Sequence, residues 1–584
     1  MLIKLLKNLF RGSPQVQKLK SDNSSWPGLE SVVTAFQRKN YVSVMEQCFA
    51  ALQQEARNVK ANYFCGRALM ELDRYPEAEQ YLRAAVEADP GVAEANADLA
   101  EVLRKAGDLQ SAEDYCRRAI SIAPMESRFR ICLVDILEEL SRHQDALEEL
   151  SLAQECAPDR LDVLERLISK LDQLGQYELA LQIAERAISE IGETFETQFF
   201  LGYARFSTGD HLGAVEACKR AIKLRTNKPG VFVTLGSALL GLRRIDEAIA
   251  AFKRSLKVLP NYPDALFHLG MLNLMRGRYR DGWAGFEYRL KLPRGKRRSC
   301  EPRWNGTSLR DRTLHVLREQ GLGDDIMYSS CYPQLINDAK HCVIECEPRL
   351  EKLFVRSFPQ ATFVPIVDNA IKVDVLKRED VDVRIFSASV PGYLRNSNRE
   401  FPAHQGYLCA DSQRVTYWRT KLDGLGGGLK IGISWKGGTV RTHRNRRTLS
   451  LECLLPLLST SGVHWINLQY GDRVKEITGL KQQHGVEIAD WAEAIDGDYD
   501  ETAALVGALD LVISVCTSVI HLGGALGRPV WVMVPYAPEW RYGLEGESMP
   551  WYPSVRLRRQ TVPDDWDPVI KRIREDLSVL LSAH

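Results

Sequence analysis

The feature that most constrains this fold is a 34-residue period that runs through the first half of the chain. Three residue classes keep the same spacing: Pro90, Pro124, Pro158 and Pro260; Ala78, Ala112, Ala146, Ala180, Ala214 and Ala248; and Gly66, Gly202, Gly236 and Gly270. Small residues let paired helices approach closely, and proline ends the second helix because it cannot donate a helical hydrogen bond. The period therefore predicts a stack of paired amphipathic helices.

One complete repeat reads "ADLAEVLRKAGDLQSAEDYCRRAISIAP" (Ala97–Pro124). It resembles the tetratricopeptide (TPR) family, and the resemblance covers residues 28–292 as about seven or eight units. This implies an α-solenoid with a concave face, a surface that commonly holds a peptide or protein segment. A scaffold or spacer with nothing bound in the groove remains the alternative.

Composition narrows the partners of the chain. The formal net charge is +1 over 584 residues, which gives no indication of a nucleic-acid partner. The 13 cysteines form no CxxC pair, so we expect buried thiols in a reducing, cytoplasmic protein with no metal site and no cofactor. Residues 1–27 are basic and amphipathic; weak contact with a membrane surface and a packed terminal helix are both open for them.

The second half of the chain changes its periodicity. Residues 293–312 are basic and rich in turn residues, so we interpret them as a linker. Two sets of short apolar runs then alternate with helical stretches, at 313–422 and at 429–562. The runs are 313–319, 341–347, 361–366, 381–386, 429–435, 464–470, 486–490, 511–515 and 529–535. This alternation predicts two Rossmann-like lobes with parallel sheets and a ligand cleft between them.

The first candidate site residue lies in "LREQGLGDD" (Leu317–Asp325), which has the pattern of a strand, a turn and a helix. Asp324 falls at the start of the helix, where a carboxylate can act as a general base toward an acceptor hydroxyl. An N-terminal cap is the alternative, because Asp often accepts backbone N–H bonds there. Asp325 is predicted to be the cap or a first-turn acid.

A basic loop opens the second lobe, in "ISWKGGTVRTHRNRR" (Ile433–Arg447). Its glycine backbone and the cations of Lys436, Arg446 and Arg447 suit a diphosphate. A solvated basic loop is the competing interpretation.

A third motif, "SVCTSVIHLGG" (Ser514–Gly524), places Thr517 and Ser518 at a helix N-terminus, where unpaired N–H groups attract anions. His521 lies one turn later, and for this side chain a phosphate contact, a sugar contact and a structural role are all open.

These motifs together resemble bacterial TPR-linked glycosyltransferases. The resemblance rests on "EQGLGD", "GISWKGG", "DLVISVCTSVIHLGGALGRPVWVMVP" and "MPWYPSVRLRRQ", and it covers nearly all of residues 28–584. The second half is similar to the heptosyltransferase (family 9) group and, more distantly, to O-GlcNAc transferases. The resemblance implies an α-solenoid followed by a GT-B fold, with an acceptor-side lobe, a nucleotide-sugar lobe and a final helix (563–584) that crosses back. It also implies inversion of the anomeric centre without a metal.

The resemblance assigns roles to the candidate residues. It implies that Asp324 is the general base, that Arg446 or Arg447 binds the diphosphate, and that the turn at Thr517 and Ser518 binds the donor with His521 beside it. Heptosyltransferase-like members carry Asp in "VDT" where this chain has Cys516. That departure puts a heptose donor, and activity itself, in doubt. We predict that Cys516 is a buried small residue rather than a nucleophile.

A long loop, "PYAPEWRYGLEGESMPWYPS" (Pro535–Ser554), follows the last predicted strand of the second lobe. Trp540, Arg541 and Tyr542 could stack on or bond a nucleotide base, and a structural loop is the alternative.

The sequence thus predicts a glycosyltransferase that moves a sugar from a nucleotide sugar to an acceptor hydroxyl. The acceptor is expected to be a protein presented by the TPR groove, with flagellin or another surface protein suggested by the resemblance. Two alternatives stay open: an inactive TPR/GT-B adaptor, and an enzyme of polysaccharide or lipid-glycan assembly whose repeats dock partner proteins.

Overall fold

This computed structural model describes residues 26–225, 227–292, 300–366, 378, 380–438, 447–471 and 473–583. The chain divides into two compact units, residues 1–173 and 174–584, and each is described by itself. The amphipathic segment predicted at residues 1–27 lies almost entirely outside the described residues. Among the helices that the structure describes, none has both the length and the apolar composition that a bilayer span requires.

The first unit is a series of helices joined by short turns. Its described helices are α1 (Leu29–Gln37), α2 (Tyr41–Gln54), α3 (Val59–Glu71), α4 (Tyr75–Ala88), α5 (Ala93–Ala106), α6 (Leu109–Ile122), α7 (Ser127–Glu139), α8 (His143–Cys156) and α9 (Leu161–Gln173). The periodic glycine allows the close helix packing that the sequence predicts. A Cβ added at Gly66 in α3 would lie 2.6 Å from Cγ of Leu82 in α4. Only a residue without a side chain permits this approach.

The second unit begins with further helices of the same kind. They are α10 (Tyr177–Ile191), α11 (Phe195–Thr208), α12 (His211–Leu224), α13 (Pro229–Gly241), α14 (Ile245–Val258), α15 (Pro263–Met275) and α16 (Tyr279–Phe286). A Cβ at Gly236 in α13 would meet the ring of Phe252 in α14 at 2.5 Å. Pro260 follows the last residue of α14 by two positions, as expected for a residue that cannot continue the helix. The predicted α-solenoid is confirmed.

The first sheet is parallel and four-stranded, in the order β3-β2-β1-β4. Its strands are β1 (Thr313–Leu317), β2 (His341–Cys346), β3 (Thr362–Pro365) and β4 (Val383–Phe386), and its helices are α17 (Leu322–Ser329), α18 (Tyr332–Asp338), α19 (Glu351–Ser357) and α20 (Pro391–Leu394). All four strands lie within the runs that the sequence predicts.

Residues 300–312, the described part of the segment that the sequence analysis interprets as a linker, are bonded to the first sheet. The backbone N–H of Trp304 donates to the carbonyl of Arg384 at 2.8 Å, and that of Arg384 donates to the carbonyl of Pro302 at 2.8 Å. The Trp304 side chain is buried. These residues therefore pack along β4, and the side chains of Cys300 and Leu309 are buried as well. Residues 293–299 lie outside the described part of the chain.

The second sheet has seven strands in the order β10-β11-β9-β8-β5-β6-β7. They are β5 (Leu429–Ser434), β6 (Val463–Asn467), β7 (Ile488–Ala489), β8 (Leu511–Val515), β9 (Val530–Val534), β10 (Ser548–Met549) and β11 (Tyr552–Arg559). Only the β10–β11 pair is antiparallel among the described pairings. The helices are α21 (Ser412–Asp423), α22 (Leu451–Leu458), α23 (Val474–His484), α24 (Ala492–Ile495), α25 (Tyr499–Ala508), α26 (Ser518–Ala525) and α27 (Asp567–Ser582).

The final helix, α27, corrects one expectation from the family resemblance. Its buried residues Val569, Ile570, Ile573 and Leu577 join the core that contains the side chains of β5 and α22. The helix thus packs on its own lobe instead of crossing back to the first. The apolar stripe of α27 packs on α22, so its buried side chains are covered within the second lobe.

Candidate functional site

The helices that follow the first strand of one lobe and the fourth strand of the other meet at their N-termini. A Cβ added at Gly323 in α17 would lie 3.2 Å from Cδ2 of His521 and 3.3 Å from Cα of Ser518, both in α26. Both helices begin at the carboxyl ends of parallel strands, the edge where α/β sheets bind ligands. We call this region, residues 321–324 and 517–521, the helix junction.

Asp324 has two contacts in this structure. Its Oδ2 accepts a hydrogen bond from the backbone N–H of Gly321 at 3.1 Å, which caps α17. Its Oδ1 accepts from Nη1 of Arg541 at 2.5 Å. Asp325 is a first-turn acid, but it is not the cap, because its buried Oδ2 accepts from Nε of Arg318 at 2.6 Å. The structure thus shows Asp324 as the cap of α17, and its role as a base stays a prediction.

Four charged side chains of alternating sign continue from Asp324, and we call them the ionic bridge: Asp324, Arg541, Glu539 and Arg447. Nε of Arg541 lies 3.2 Å from Oε2 of Glu539, whose Oε1 accepts from Nη1 of Arg447. Burial acts to raise the pKa of Glu539, but the cations of Arg541 and Arg447 outweigh it and lower that pKa below the ordinary value. Any anionic ligand at these arginines therefore competes with two carboxylates.

The basic loop after β5 reaches the helix junction through its glycine. A Cβ at Gly437 would lie 2.9 Å from the carbonyl oxygen of Cys516 and 3.2 Å from Cδ of Arg447. Lys436 behaves differently, because its Nζ bonds Glu476 of α23. The structure thus places Arg447 near the turn after β8. It pairs Lys436 with Glu476, which lies outside that turn. Arg446 lies outside the described residues.

The start of α26 is built from hydroxyl groups. Thr517 is the N-cap, and its Oγ1 accepts from the backbone N–H of Val519 at 3.3 Å. The Tyr499 hydroxyl lies 3.0 Å from Oγ of Ser518. This first turn contains no acidic residue, so the positive end of the helix dipole is not offset by a carboxylate of its own.

His521 is buried in the same helix, with 2% of its surface exposed. Its Nδ1 lies 3.0 Å from the hydroxyl of Tyr552 in β11. Burial lowers the pKa of this imidazole well below its ordinary value, and the positive charge of Arg541 lowers it further. The ring is therefore neutral at physiological pH.

Cys516 is buried, as predicted, with 3% of its surface exposed. Burial raises the pKa of its thiol to about 12. The Sγ atom lies 3.8 Å from the carbonyl oxygen of Met533 in β9. A thiol that stays protonated at neutral pH is a poor nucleophile, which supports a packing role for this residue.

The prediction that Trp540 and Tyr542 stack on a nucleotide base is not supported by their packing. Both rings are buried in the core, where the Trp540 ring centroid lies 5.4 Å from that of Trp283 and 5.5 Å from that of Phe286. These repeat aromatics cover surface that a base would need. Of the three predicted residues in this loop, Arg541 bonds Asp324 of the helix junction.

The same loop is bonded to the last repeats of the second unit. The backbone N–H of Leu544 donates to the carbonyl of Met275 at 3.3 Å, and Nη2 of Arg243 donates to the carbonyl of Leu544 at 2.9 Å. A cavity of about 700 Å³ lies here, and Arg541 and Tyr279 contribute to its walls. Arg541 therefore links this cavity to Asp324.

Sequence reasoning missed three residues of the site: Glu539, Tyr552 and Tyr499. Tyr552 lies within the motif "MPWYPSVRLRRQ". The motif identifies the segment but gives no sign that Tyr552 contacts His521. Glu539 lies within the aromatic loop, just before Trp540, and carries no pattern of its own. Within the described ranges, no cluster of three or more His, Cys, Asp or Glu side chains is arranged to hold a metal.

Comparisons with known proteins match family models in the repeats and one relative over a longer part of the chain. A family model described as "Tetratricopeptide repeat" matches residues 65–127 and 233–281, and one described as "Anaphase-promoting complex, cyclosome, subunit 3" matches residues 173–255. Protein FlbA of Caulobacter vibrioides is 29% identical over 437 residues, which span 71% of this chain and 72% of FlbA.

Two solved structures resemble the solenoid. YrrB, described as a TPR protein with an unusual peptide-binding site, is 16% identical, with a TM-score of 0.27 over 32% of this chain and 97% of its own. The APC/C hetero-tetramer Cut9–Hcn1 is 17% identical, with a TM-score of 0.31 over 47% of this chain and 55% of its own. The family matches and the paired helices together show that the first half of this chain is built of tetratricopeptide repeats.

Proposed function

We propose that this protein is a glycosyltransferase that moves a sugar from a nucleotide sugar to a hydroxyl group of a protein. The observation that carries the proposal is the helix junction, where Gly323 packs on Ser518 and His521 and both helices follow parallel strands. The start of α26, which has no acid in its first turn, is suited to a phosphate group. The sequence resemblance to TPR-linked glycosyltransferases supports the same conclusion.

The donor phosphate binds at the start of α26, next to Arg447 and Arg541. The acceptor oxygen attacks the anomeric carbon while the bond from that carbon to the phosphate oxygen breaks, and the electron pair leaves with the nucleotide. Asp324 takes the proton of the acceptor hydroxyl. Arg541 moves from Asp324 to the departing phosphate in this scheme, which frees the base and stabilises the leaving group together.

The acceptor is a segment of a partner protein presented by the repeats. The cavity beside Arg541 supports this arrangement, because repeat residues such as Tyr279 share its walls with an arginine that contacts Asp324. The family resemblance suggests flagellin or another surface protein as the acceptor.

Nucleotide binding is the first test. We expect one of UDP, GDP, ADP and CMP to raise the melting temperature, since ligand at 100 times Kd adds about 2.7 kcal/mol to the free energy of unfolding. Arg447→Gln should abolish the shift. Arg419→Gln removes a surface arginine of the same lobe that pairs with Asp510 at 3.2 Å, and it should leave the shift intact. No shift with any of the four nucleotides in the wild-type protein would contradict the proposal.

A second candidate function, a TPR adaptor with a non-catalytic α/β half, is favoured by one observation. Lys436, Arg447 and Arg541 each bond a carboxylate. Glu539→Gln distinguishes the two functions. For a transferase, removing a competing carboxylate should strengthen nucleotide binding several-fold, by about 1 kcal/mol. For an adaptor, neither the wild-type protein nor this variant should bind a nucleotide.

A further inference from the structure

Five consecutive backbone carbonyls, at residues 542–546, all accept hydrogen bonds from arginine side chains, and we call this segment the carbonyl loop. The carbonyl of Leu544 accepts from Nη2 of Arg243 at 2.9 Å. Arg559, the last residue of β11, donates to the other four, at 2.5 Å to Tyr542, 3.1 Å to Gly543, 3.2 Å to Glu545 and 2.7 Å to Gly546.

Two glycines allow the loop to turn around the Arg559 guanidinium. Gly543 has φ +64° and Gly546 has φ +80°, a region that residues with a side chain rarely adopt. A regular strand cannot direct four nearby carbonyls at one side chain, because its carbonyls alternate in direction. The sequence of the loop is thus suited to this one partner.

The acceptors of Arg559 in the loop are neutral, although its side chain is charged. Burial, together with the positive charge of Arg243, lowers the pKa of the Arg559 guanidinium to about 10, so the group is still a cation at neutral pH. Removing a cation from water is costly, and the four carbonyl dipoles offset that cost. The arginine and the folded loop therefore depend on each other.

The carbonyl loop begins one residue after Arg541, whose Nη1 donates to Oδ1 of Asp324 at 2.5 Å. On one side the loop is fastened to the second lobe through β11. On the other side it is fastened to the repeats, through Arg243 in the turn between α13 and α14 and through the bond from Leu544 to the carbonyl of Met275. The backbone that carries Arg541 is therefore held from two directions, while its side chain can still rotate.

We propose that Arg559 and Arg243 are positioning residues for Arg541. They hold the carbonyl loop so that the Arg541 guanidinium reaches Asp324 and, during sugar transfer, the departing phosphate. The second contact rests on the proposed function. The proposal gives a role to Arg559 in the motif "MPWYPSVRLRRQ", and it makes Arg243, a residue of the repeats, part of the support of the site.

Hydrogen–deuterium exchange of the ligand-free, full-length protein tests the restraint. Arg559→Lys keeps the charge, but an ammonium group has three donors and cannot bond four carbonyls. We expect faster amide exchange at residues 542–546 and also at Gly321, whose N–H is bonded to Asp324, with the rate at Gly321 approaching that of Arg541→Gln. Unchanged exchange at Gly321 in Arg559→Lys would refute the positioning of Arg541.

A matched control comes from the same strand. Arg556 in β11 donates to the carbonyls of Pro553 and Val555, which lie outside the carbonyl loop. Arg556→Lys should therefore leave exchange at the loop and at Gly321 as in the wild-type protein. If it speeds exchange as much as Arg559→Lys does, the effect belongs to the strand as a whole and the proposal is wrong.

The contribution of the repeats is tested at Arg243. Its φ is +55°, so Arg243→Gly removes the guanidinium and leaves a backbone conformation that glycine adopts readily. We expect faster exchange at Leu544, with a smaller change than Arg559→Lys causes. Lys39→Gly, at φ +58° in a turn of the first unit, is the matched control and should not affect the loop. No change in Arg243→Gly would remove Arg243 from the proposal.

Nucleotide affinity then separates action through Arg541 from direct action. The probe is whichever of UDP, GDP, ADP and CMP binds the wild-type protein. Arg559→Lys should weaken its binding about fivefold, and the same substitution in the Arg541→Gln background should change it less than about twofold. Equal losses in the two backgrounds would show that Arg559 acts independently of Arg541 and overturn the proposal. Failure of all four nucleotides to bind refutes the proposed function, whereas the exchange measurements decide the positioning without a ligand.

Discussion

The two helices that meet at the helix junction begin with opposite chemistry. α17 has Asp324 and Asp325 in its first turn, whereas α26 begins with the hydroxyls of Thr517 and Ser518 and has no first-turn acid. A helix N-terminus favours negative charge. α17 carries that negative charge in its own carboxylates, whereas α26 carries none in its first turn. The contrast teaches that lobes of similar topology can present opposite chemistry at equivalent helix starts, and the proposed function uses this difference by assigning proton transfer to the first and phosphate binding to the second.

Removing the charge at the start of α17 should have the largest effect. Asp324→Asn keeps an oxygen that can accept from Gly321, so α17 remains capped, but it removes the base. We expect sugar transfer to fall at least about 100-fold while nucleotide binding persists. Intact-mass analysis of a coexpressed acceptor measures the transfer, with Asp338→Asn in the exposed end of α18 as the control. Unchanged transfer would show that Asp324 is only a cap.

Separating the two helix starts should be the next most damaging change. Gly323→Val places methyl groups against His521 and Ser518, where a Cβ alone already lies within 3.3 Å. We expect a loss of about 1–3 kcal/mol in the free energy of unfolding, measured by urea denaturation. Gly479 in α23 is the matched control, since a Cβ there meets no atom within 4 Å. Gly479→Ala should stabilise the protein by about 0.5–1 kcal/mol, and the same gain at Gly323 would contradict the close contact.

The pH dependence of stability tests the neutral histidine of α26. The pKa of His521 is lowered in the folded state, so below about pH 6.5 the unfolded chain binds a proton that the folded chain does not. Its contribution is present above the unfolded pKa and is lost as the pH falls, by at most about 1.4 kcal/mol per pH unit.

The difference in unfolding free energy between the wild-type protein and His521→Asn should therefore shrink from pH 7.5 to pH 5.5. His484→Asn, at the exposed end of α23, serves as the control and should keep the wild-type slope. A difference that stays constant with pH would mean that His521 titrates normally.

The smallest effect is expected at Cys516, just before the start of α26. Cys516→Ser should lower the free energy of unfolding by about 1 kcal/mol and leave transfer within about threefold, because the thiol is buried and protonated. The same acceptor mass assay measures it. A loss as large as that of Asp324→Asn would revive a nucleophilic role for this cysteine.

Helices and strands could be predicted from the sequence because they depend on residue patterns that recur over short distances along the chain. The runs at 313–319 and 511–515 contain β1 and β8, and the 34-residue period marks the helix pairs. The surface on which α27 packs cannot be predicted in this way, because an apolar stripe fits any matching groove.

Contacts within the site could not be predicted in the same way. Asp324 and Arg541 are 217 residues apart in the chain, and their pairing exists only after both lobes fold. Glu539 gives no signal because an acid in a loop is usually solvated. The candidate residues could be named from the sequence, but their partners depend on tertiary structure.

The attachment of the loop at residues 540–544 to the repeats also bears on how fragments of this protein should be cut. Trp540 packs on Trp283, and Leu544 bonds Met275, so a fragment that starts after residue 293 would lose these partners and expose an apolar surface. A start near residue 174 keeps them. Fragments made to study the α/β half should therefore carry these repeat helices with it.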